Sequence, residues 1–373
     1  MRRSAPRRRT SPWGNPTRRR ELLRALPKTD LHVHLDGSLR PATLLELAAE
    51  QGAKLPFRTP DELSAAFARL ASGVSLPEYL KAFDWTLSVL QDRASLERVA
   101  FELAEDAYME NVSYMEVRYC PALHTRKKLT LDETVEAVRA GLRRAERVTG
   151  IRTGTIVCGI RHLSPRLSVR LARVAAAYSG RGVVGFDLAG AEKDYPAKAH
   201  RRAFDVVRKE HVNITVHAGE AFGAASIDQA LRYCGAHRIG HGTRLREDSA
   251  VLAFVRDHRI PLEMCLVSNV QTGAVRSLRS HPFGRYLQAG LRVTVNTDNR
   301  LVSSTTMTDE LERAVTTFQL QPADVRSILI NGFKSAFLPY EEKGALLRQA
   351  VREMDRIFEQ ARVQEGEPSR DLL

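Results

Sequence analysis

Asp30-Leu31-His32-Val33-His34-Leu35-Asp36-Gly37 decides how this chain is read, because apolar and polar residues alternate in it and two histidines stand two positions apart. On a strand, alternate side chains share a face, so His32 and His34 point the same way and can hold one ion together. Two further apolar runs end in comparable chemistry: Ile214-Thr215-Val216-His217, followed by Ala218-Gly219-Glu220, and Val293-Thr294-Val295-Asn296-Thr297-Asp298. A lone strand-end histidine is usually a hydrogen-bonded core or rim residue. Three neutral imidazoles and a carboxylate, all at strand ends, instead describe a catalytic zinc site with an open position for water.

Counting outward from these runs gives eight short, mostly β-branched apolar segments, at 31–35, 114–119, 153–160, 183–188, 212–217, 238–241, 262–267 and 291–297. The later ones are separated by about one helix plus loops, which implies parallel strands joined by helical crossovers. Thr130-Leu131-Asp132-Glu133 and Ser226-Ile227-Asp228-Gln229 read as capping boxes, and a further helix is expected to begin at Thr308-Asp309-Glu310-Leu311. The expected fold is α/β, a closed (β/α)8 barrel of the TIM type, with extra helices after strand 1 and at the C-terminus. In such barrels the active site lies at the C-terminal strand ends, where the candidate ligands are. The interval from His34 to Tyr114 is too long for one crossover. Its apolar pattern around Leu44, Leu45 and Leu47, Phe67 and Leu70, and Tyr79, Leu80, Phe83 and Trp85 predicts helices overhanging the barrel mouth, with Phe83 or Trp85 as residues that could face a pocket.

Composition narrows the class further. The formal charge is +13, but residues 1–24 hold nine arginines against one glutamate, so eight of those charges sit in one segment. That segment has three prolines and no apolar periodicity, and reads as a solvated arm. Contact with RNA, acidic lipid or a partner is open to it, but nucleic-acid binding is not expected beyond non-specific contact. The domain plan is therefore a disordered basic arm at 1–24, a single barrel domain at 25–362 and a frayed tail at 363–373. No apolar run is long enough to span a bilayer. Cys120, Cys158, Cys234 and Cys265 lack paired spacing and read as free thiols in a reducing compartment, so a cytoplasmic location is expected. Cys120, just past a strand end, is a weak candidate for a pocket wall.

Two more strand-end groups suit proton transfer: Glu220, and His241 in Ile239-Gly240-His241-Gly242. A zinc held by His32, His34, His217 and Asp298 would lower the pKa of water from 15.7 to about 7. Burial would raise the Glu220 pKa and make it a proton donor, while His241 could orient or deprotonate the water. Gly190, in Asp187-Leu188-Ala189-Gly190, would let a flat ring approach the backbone, or would simply turn the chain.

These residues together resemble the adenosine deaminases of the amidohydrolase superfamily. The likeness runs from about Leu26 to Leu338 through Leu31-His32-Val33-His34-Leu35-Asp36-Gly37-Ser38, Asp187-Leu188-Ala189-Gly190, Val216-His217-Ala218-Gly219-Glu220, Gly240-His241-Gly242, Ser268-Asn269 with Thr272-Gly273, and Asn296-Thr297-Asp298. The resemblance implies one Zn2+ per subunit on His32, His34, His217 and Asp298, with a purine nucleoside as small-molecule substrate. It further implies Glu220 as proton donor to purine N1, His241 as partner of the activated water, Gly190 as a hydrogen-bonding partner of the purine, and Asp36 facing the ribose. Hydrolysis at C6 would release ammonia and leave a 6-oxo purine. The His-x-Glu and Pro-Cys-x-x-Cys pattern of cytidine-type deaminases is absent.

One departure stands out. The family often has a second aspartate near purine N7, where this chain has Asn299, whose amide donates at any pH. Arg300 and Arg244, just past strand ends, suggest a larger adenosine derivative bearing a carboxylate, such as 6-aminodeoxyfutalosine. Adenine deamination and a non-catalytic, basic nucleic-acid-binding barrel are the other readings. Gly180-Arg181-Gly182-Val183-Val184-Gly185 matches a dinucleotide fingerprint on paper but leads into a strand, so it reads as a loop. His162 could approach the pocket, and Glu116 and Arg118 share a face of the second run and would pair inside the barrel.

Overall fold

In the computed structural model, which describes residues 13–70 and 82–364, all eight expected strands form. They are β1 (Lys28–His34), β2 (Val112–Tyr119), β3 (Arg152–Ile160), β4 (Val183–Ala189), β5 (Asn213–Ala218), β6 (Arg238–His241), β7 (Leu262–Met264) and β8 (Val293–Val295). They pair in parallel in chain order from β1 to β8. The chain after β8 closes the ring on β1: Asp298 N–H donates to His32 O at 2.8 Å, and His34 N–H donates to Asp298 O at 2.7 Å. Closure therefore brings together the two strand ends that carry His32, His34 and Asp298, three of the expected ligands.

The crossover helices follow the sequence signals with local differences. Thr130 caps the helix Leu131–Thr149 with a full capping box to Glu133. The helix Ala224–Gln229 starts two residues ahead of the expected box, because Gly223 supplies the extended cap residue and Ser226 falls inside the helix. The helix Met307–Phe318 is capped by Thr306. After β1, helices span Pro41–Gln51, Pro60–Leu70 and Phe83–Val89; Tyr79 and Leu80 lie outside the described residues. Trp85 packs edge-on against Phe57 and Phe67, with ring centroids 4.8 and 5.5 Å away, while Phe83 faces the cavity at the barrel mouth.

The expected arm boundary at residue 24 does not hold. Residues 13–25 are built onto the barrel, whereas 1–12 lie outside the described residues, as do 365–373 of the expected tail. Asn15 caps a helix over Pro16–Ala25, its side chain accepting from Arg18 N–H. Trp13 is buried and donates its indole N–H to Leu320 O at 2.8 Å. Arg19 and Arg20 pair with Glu312, and Arg20 also with Asp309. At the far end, buried Lys28 donates from Nζ to the carbonyls of Leu23, Arg24 and Leu26 at 2.9, 2.8 and 2.6 Å. The missed cue is amphipathy: Leu22, Leu23 and Leu26 lie among the arginines, and Leu23 and Leu26 are fully buried. Among the described residues, no helix is long and apolar enough to cross a membrane.

Candidate active site

The four predicted ligands converge. One donor atom each from His32, His34, His217 and Asp298 lies within 4.8 Å of the others. His32 Nδ1 donates to Glu263 Oε2 at 2.9 Å, and His217 Nδ1 to Asp187 Oδ2 at 2.9 Å. These contacts protonate the far nitrogens and leave both Nε2 lone pairs aimed at one point. His32 Nε2 is buried and has no hydrogen-bond partner among the described residues. His34 Nε2 and His217 Nε2 face each other at 3.1 Å, and Asp298 Oδ1 stands 3.5 Å from the Nε2 atoms of His32 and His34. Converging lone pairs with a carboxylate suit a divalent cation far better than one another.

Protonation fits this arrangement. Burial pulls His32 down to about 4, keeping it neutral. Burial opposes ionisation of Asp298, but the imidazoles around it, His32 first and then His241 and His34, hold it well below the usual carboxylate range. Burial also lowers His217, yet the Asp187 carboxylate outweighs that and raises it, so a cation at Nε2 would displace a proton there. Asp298 and His241 both have left-handed backbones, with φ of 61° and 62°, a strain that closure around the site sustains.

Glu220 is buried and its carboxyl is pushed above the ordinary glutamate value, first by desolvation. Thr272 Oγ1 donates to its Oε1 at 3.0 Å, and its Oε2 lies 3.6 Å from His241 Nε2. The tautomer of His241 follows from a chain of buried contacts. Phe283 N–H donates to His281 Nδ1 at 3.1 Å, and burial lowers His281 to about 3, so neutral His281 carries its proton on Nε2. That proton goes to Asn269 Oδ1 at 3.2 Å, turning the Asn269 amide toward His241 Nδ1 at 2.9 Å. Neutral His241 must therefore present Nε2–H to the pocket. Of the two roles open to it in the sequence, the geometry favours donor over base.

A cavity of about 690 Å³ at the barrel mouth joins these groups. Asp36, Gly190 and Asn299 border it together with Glu220 and His241, as does His162, while Cys120 is buried elsewhere. Gly190 has φ +89°, and a Cβ there would come within 3.0 Å of Ile160, so the backbone approach is open only to glycine. Asp36 Oδ1 is buried with no hydrogen-bond partner among the described residues, and burial raises the side chain to about 7. The two arginines considered for a carboxylated substrate are engaged elsewhere. Arg300 pairs with buried Glu110 and Arg244 with Glu247, and neither borders the cavity, so the residue argument for a larger anionic substrate falls away.

Sequence reading missed the layer underneath. Arg118 donates from Nη1 to Asp187 Oδ2 at 3.1 Å and from Nη2 to Glu263 Oε2 at 2.9 Å, so one guanidinium bridges the carboxylates that orient His217 and His32. The expected Glu116–Arg118 pair does not form. Glu116 of β2 instead meets Arg238 of β6 across the barrel interior, where alternate strands fill one layer, and Arg238 also reaches Glu263 on the neighbouring β7. Glu192 was missed as well: it lies two residues past Gly190, but its partners are backbone amides of another loop, which no sequence pattern marks.

The family model described as adenosine deaminase matches residues 27–353. The chain is 44% identical over 347 residues to adenosine deaminase 1 of Streptomyces coelicolor, covering 88% of this chain and 87% of that one. It is 45% identical over 343 residues to an adenosine deaminase of a Mycobacterium species, covering 87% and 94% respectively. Among solved structures, the adenine deaminase of Arthrobacter aurescens superposes with a TM-score of 0.82 at 26% identity, covering 88% of this chain and 99% of that one.

Proposed function

The chain belongs to the adenosine deaminase family, and from that premise we propose that it hydrolyses the C6 amino group of adenosine or deoxyadenosine, giving inosine or deoxyinosine and ammonia. One observation carries the reading: the buried Glu220 carboxyl and an imidazole N–H face the same cavity as His34, His217 and Asp298, three of the four converging donors, with His32 buried behind them. Deaminases of this type are metal-dependent, and the donor set of His32, His34, His217 and Asp298 suits Zn2+. When bound, such a cation supplies the Lewis acidity that brings the pKa of water to about 7.

The remaining work falls to the chain's own groups. Glu220, whose carboxyl burial pushes above the ordinary glutamate value, gives its proton to purine N1 as electron density moves onto the ring during attack at C6. His241 Nε2–H donates to the developing oxygen charge and holds the attacking water in line. The Gly190 backbone can lie against the purine edge, and Asp36 offers its unpartnered oxygen to a ribose hydroxyl. Asn299 takes the purine N7 side, where its amide donates without needing a proton. Water gives up one proton as its oxygen adds at C6. Glu220, ionised after its donation to N1, passes the proton of the new hydroxyl to the amino group. The C6–N bond breaks to release ammonia as C6=O forms, and the proton lost by the water restores Glu220.

A second reading, adenine deamination, draws on the likeness to the Arthrobacter aurescens enzyme. Asp36 and a cavity of about 690 Å³, roomy enough for a sugar as well as a base, favour the nucleoside. Ammonia release from adenine, adenosine and deoxyadenosine on metal-analysed protein separates them. The nucleosides should turn over at least about tenfold faster in kcat/KM, a difference of roughly 1.4 kcal/mol. Faster turnover of the free base would overturn the choice.

A further inference from the structure

The loop after β5 carries Glu220, and one carboxylate from the loop after β4 gathers its amides. Glu192 Oε1 accepts from Gly219 N–H at 2.6 Å, and Oε2 accepts from Glu220, Ala221 and Phe222 N–H at 3.0, 2.7 and 2.9 Å. Glu192 is itself buried. Gly219, with φ +68°, turns the chain so that successive amides point the same way, and a Cβ there would come within 2.5 Å of Ile227. From the other side, buried Arg161 donates to His217 O at 2.6 Å and to Tyr195 O at 2.8 Å. The segment from His217 to Phe222 is thus held by a cation on its carbonyl side and an anion on its amide side.

We propose that Glu192 is a positioning residue for catalysis, a clamp that fixes where the Glu220 carboxyl meets the substrate. Four hydrogen bonds to one carboxylate far exceed what a surface loop needs to stay folded, and charge-assisted bonds are about twice as strong as neutral ones. Nothing in Glu192 touches the cavity, so its influence must pass through the backbone it holds. A displacement of about 1 Å at a proton donor costs on the order of 10²-fold in rate, so a loop that wanders would be felt in kcat rather than in binding. The inference rests on Glu220 being the proton donor.

The test compares Glu192→Gln, Glu192→Asp, Glu220→Gln and the Glu192→Gln/Glu220→Gln double variant, each with its bound metal measured. Glutamine keeps the volume but turns an NH2 toward amide donors, and aspartate is one methylene too short to reach all four. Glu192→Gln should lower kcat by about 10–100-fold, the usual range for a supporting residue, with KM within about threefold and metal content unchanged. Amide exchange at 219–222 should quicken, Glu192→Asp should fall between, and the double variant should be no slower than Glu220→Gln alone. Normal kcat in Glu192→Gln, or losses that multiply in the double variant, would overturn the clamp. If the glutamine variant does not fold, an unchanged kcat in Glu192→Asp overturns it equally. Full turnover by Glu220→Gln would instead refute the donor assignment, whatever the Glu192 variants do.

Discussion

The barrel interior holds two layers of buried polar groups that behave in opposite ways. In the lower layer Arg118 and Arg238 meet Asp187, Glu263 and Glu116, so that each charged group has an opposite charge beside it inside the protein. Above it, His32 Nε2 and Asp36 Oδ1 have no partner among the described residues, two imidazole nitrogens face each other, and two backbones are strained. The lower layer is complementary to itself. The upper one is complementary to a cation and a polar substrate, so damage to it should appear in rate and metal affinity, and damage below in stability.

Glu220→Gln should produce the largest rate effect, since amide replaces acid at the proton donor: kcat is expected to fall by about 10²–10⁴-fold, with metal content and melting temperature unchanged. The pH profile sharpens this. Burial raises the Glu220 pKa, so the active, protonated form persists above the ordinary glutamate range and activity is lost as pH rises through the raised value. In Glu220→Gln that alkaline limb should vanish from kcat/KM. A variant that loses stability instead would blur the separation between the layers.

Arg118→Met attacks the other side of the comparison. It leaves Asp187 and Glu263 as buried carboxylates without their shared cation, and breaking such a network costs about 3–5 kcal/mol. The expected result is a lower denaturant midpoint together with weaker metal binding, because the two carboxylates orient His32 and His217, both proposed as ligands. Denaturation and metal titration check it. Unchanged stability would show that the lower layer is not the structural one.

Asn269→Asp probes the relay behind His241 without removing a catalytic group. A carboxylate accepts where the amide donated, so it would draw the His241 proton onto Nδ1 and turn Nε2 into an acceptor. A wrong tautomer at a catalytic histidine costs on the order of 10²–10⁴-fold, and an effect of about 10²-fold on kcat with little change in KM is expected here. Equal rates would return His241 to the base role.

Legibility in the sequence follows the same division. Strand-end chemistry is local: His32 and His34 announce themselves by spacing, and Glu220 and Asp298 sit just beyond apolar runs. All eight strands were readable for that reason, although β7 and β8 proved only three residues long because the chain leaves the sheet for the site early. The lower layer depends on which residues of different strands come level. Glu116 and Arg118 lie two apart in sequence, yet each finds its partner across the barrel. Glu192 and the Phe283–His281–Asn269 relay are legible only after folding, since their partners are backbone atoms or side chains in other loops.

The N-terminal segment gives the smallest effect and a useful control. Its arginines look like the lower layer on paper, since Arg20 pairs with both Asp309 and Glu312, but Arg20 is 51% exposed. Water and salt already screen those charges, and exposed pairs contribute about 0–1 kcal/mol. Arg20→Ala should therefore shift the denaturant midpoint barely, and less still at high salt, while kcat stays unchanged. The segment is held instead by apolar and backbone contacts: Trp13 against Phe358 and Leu320, Leu23 in the core, and Lys28 closing the helix end. A midpoint shift in Arg20→Ala approaching that of Arg118→Met would mean that burial is not what separates the two sets of ion pairs.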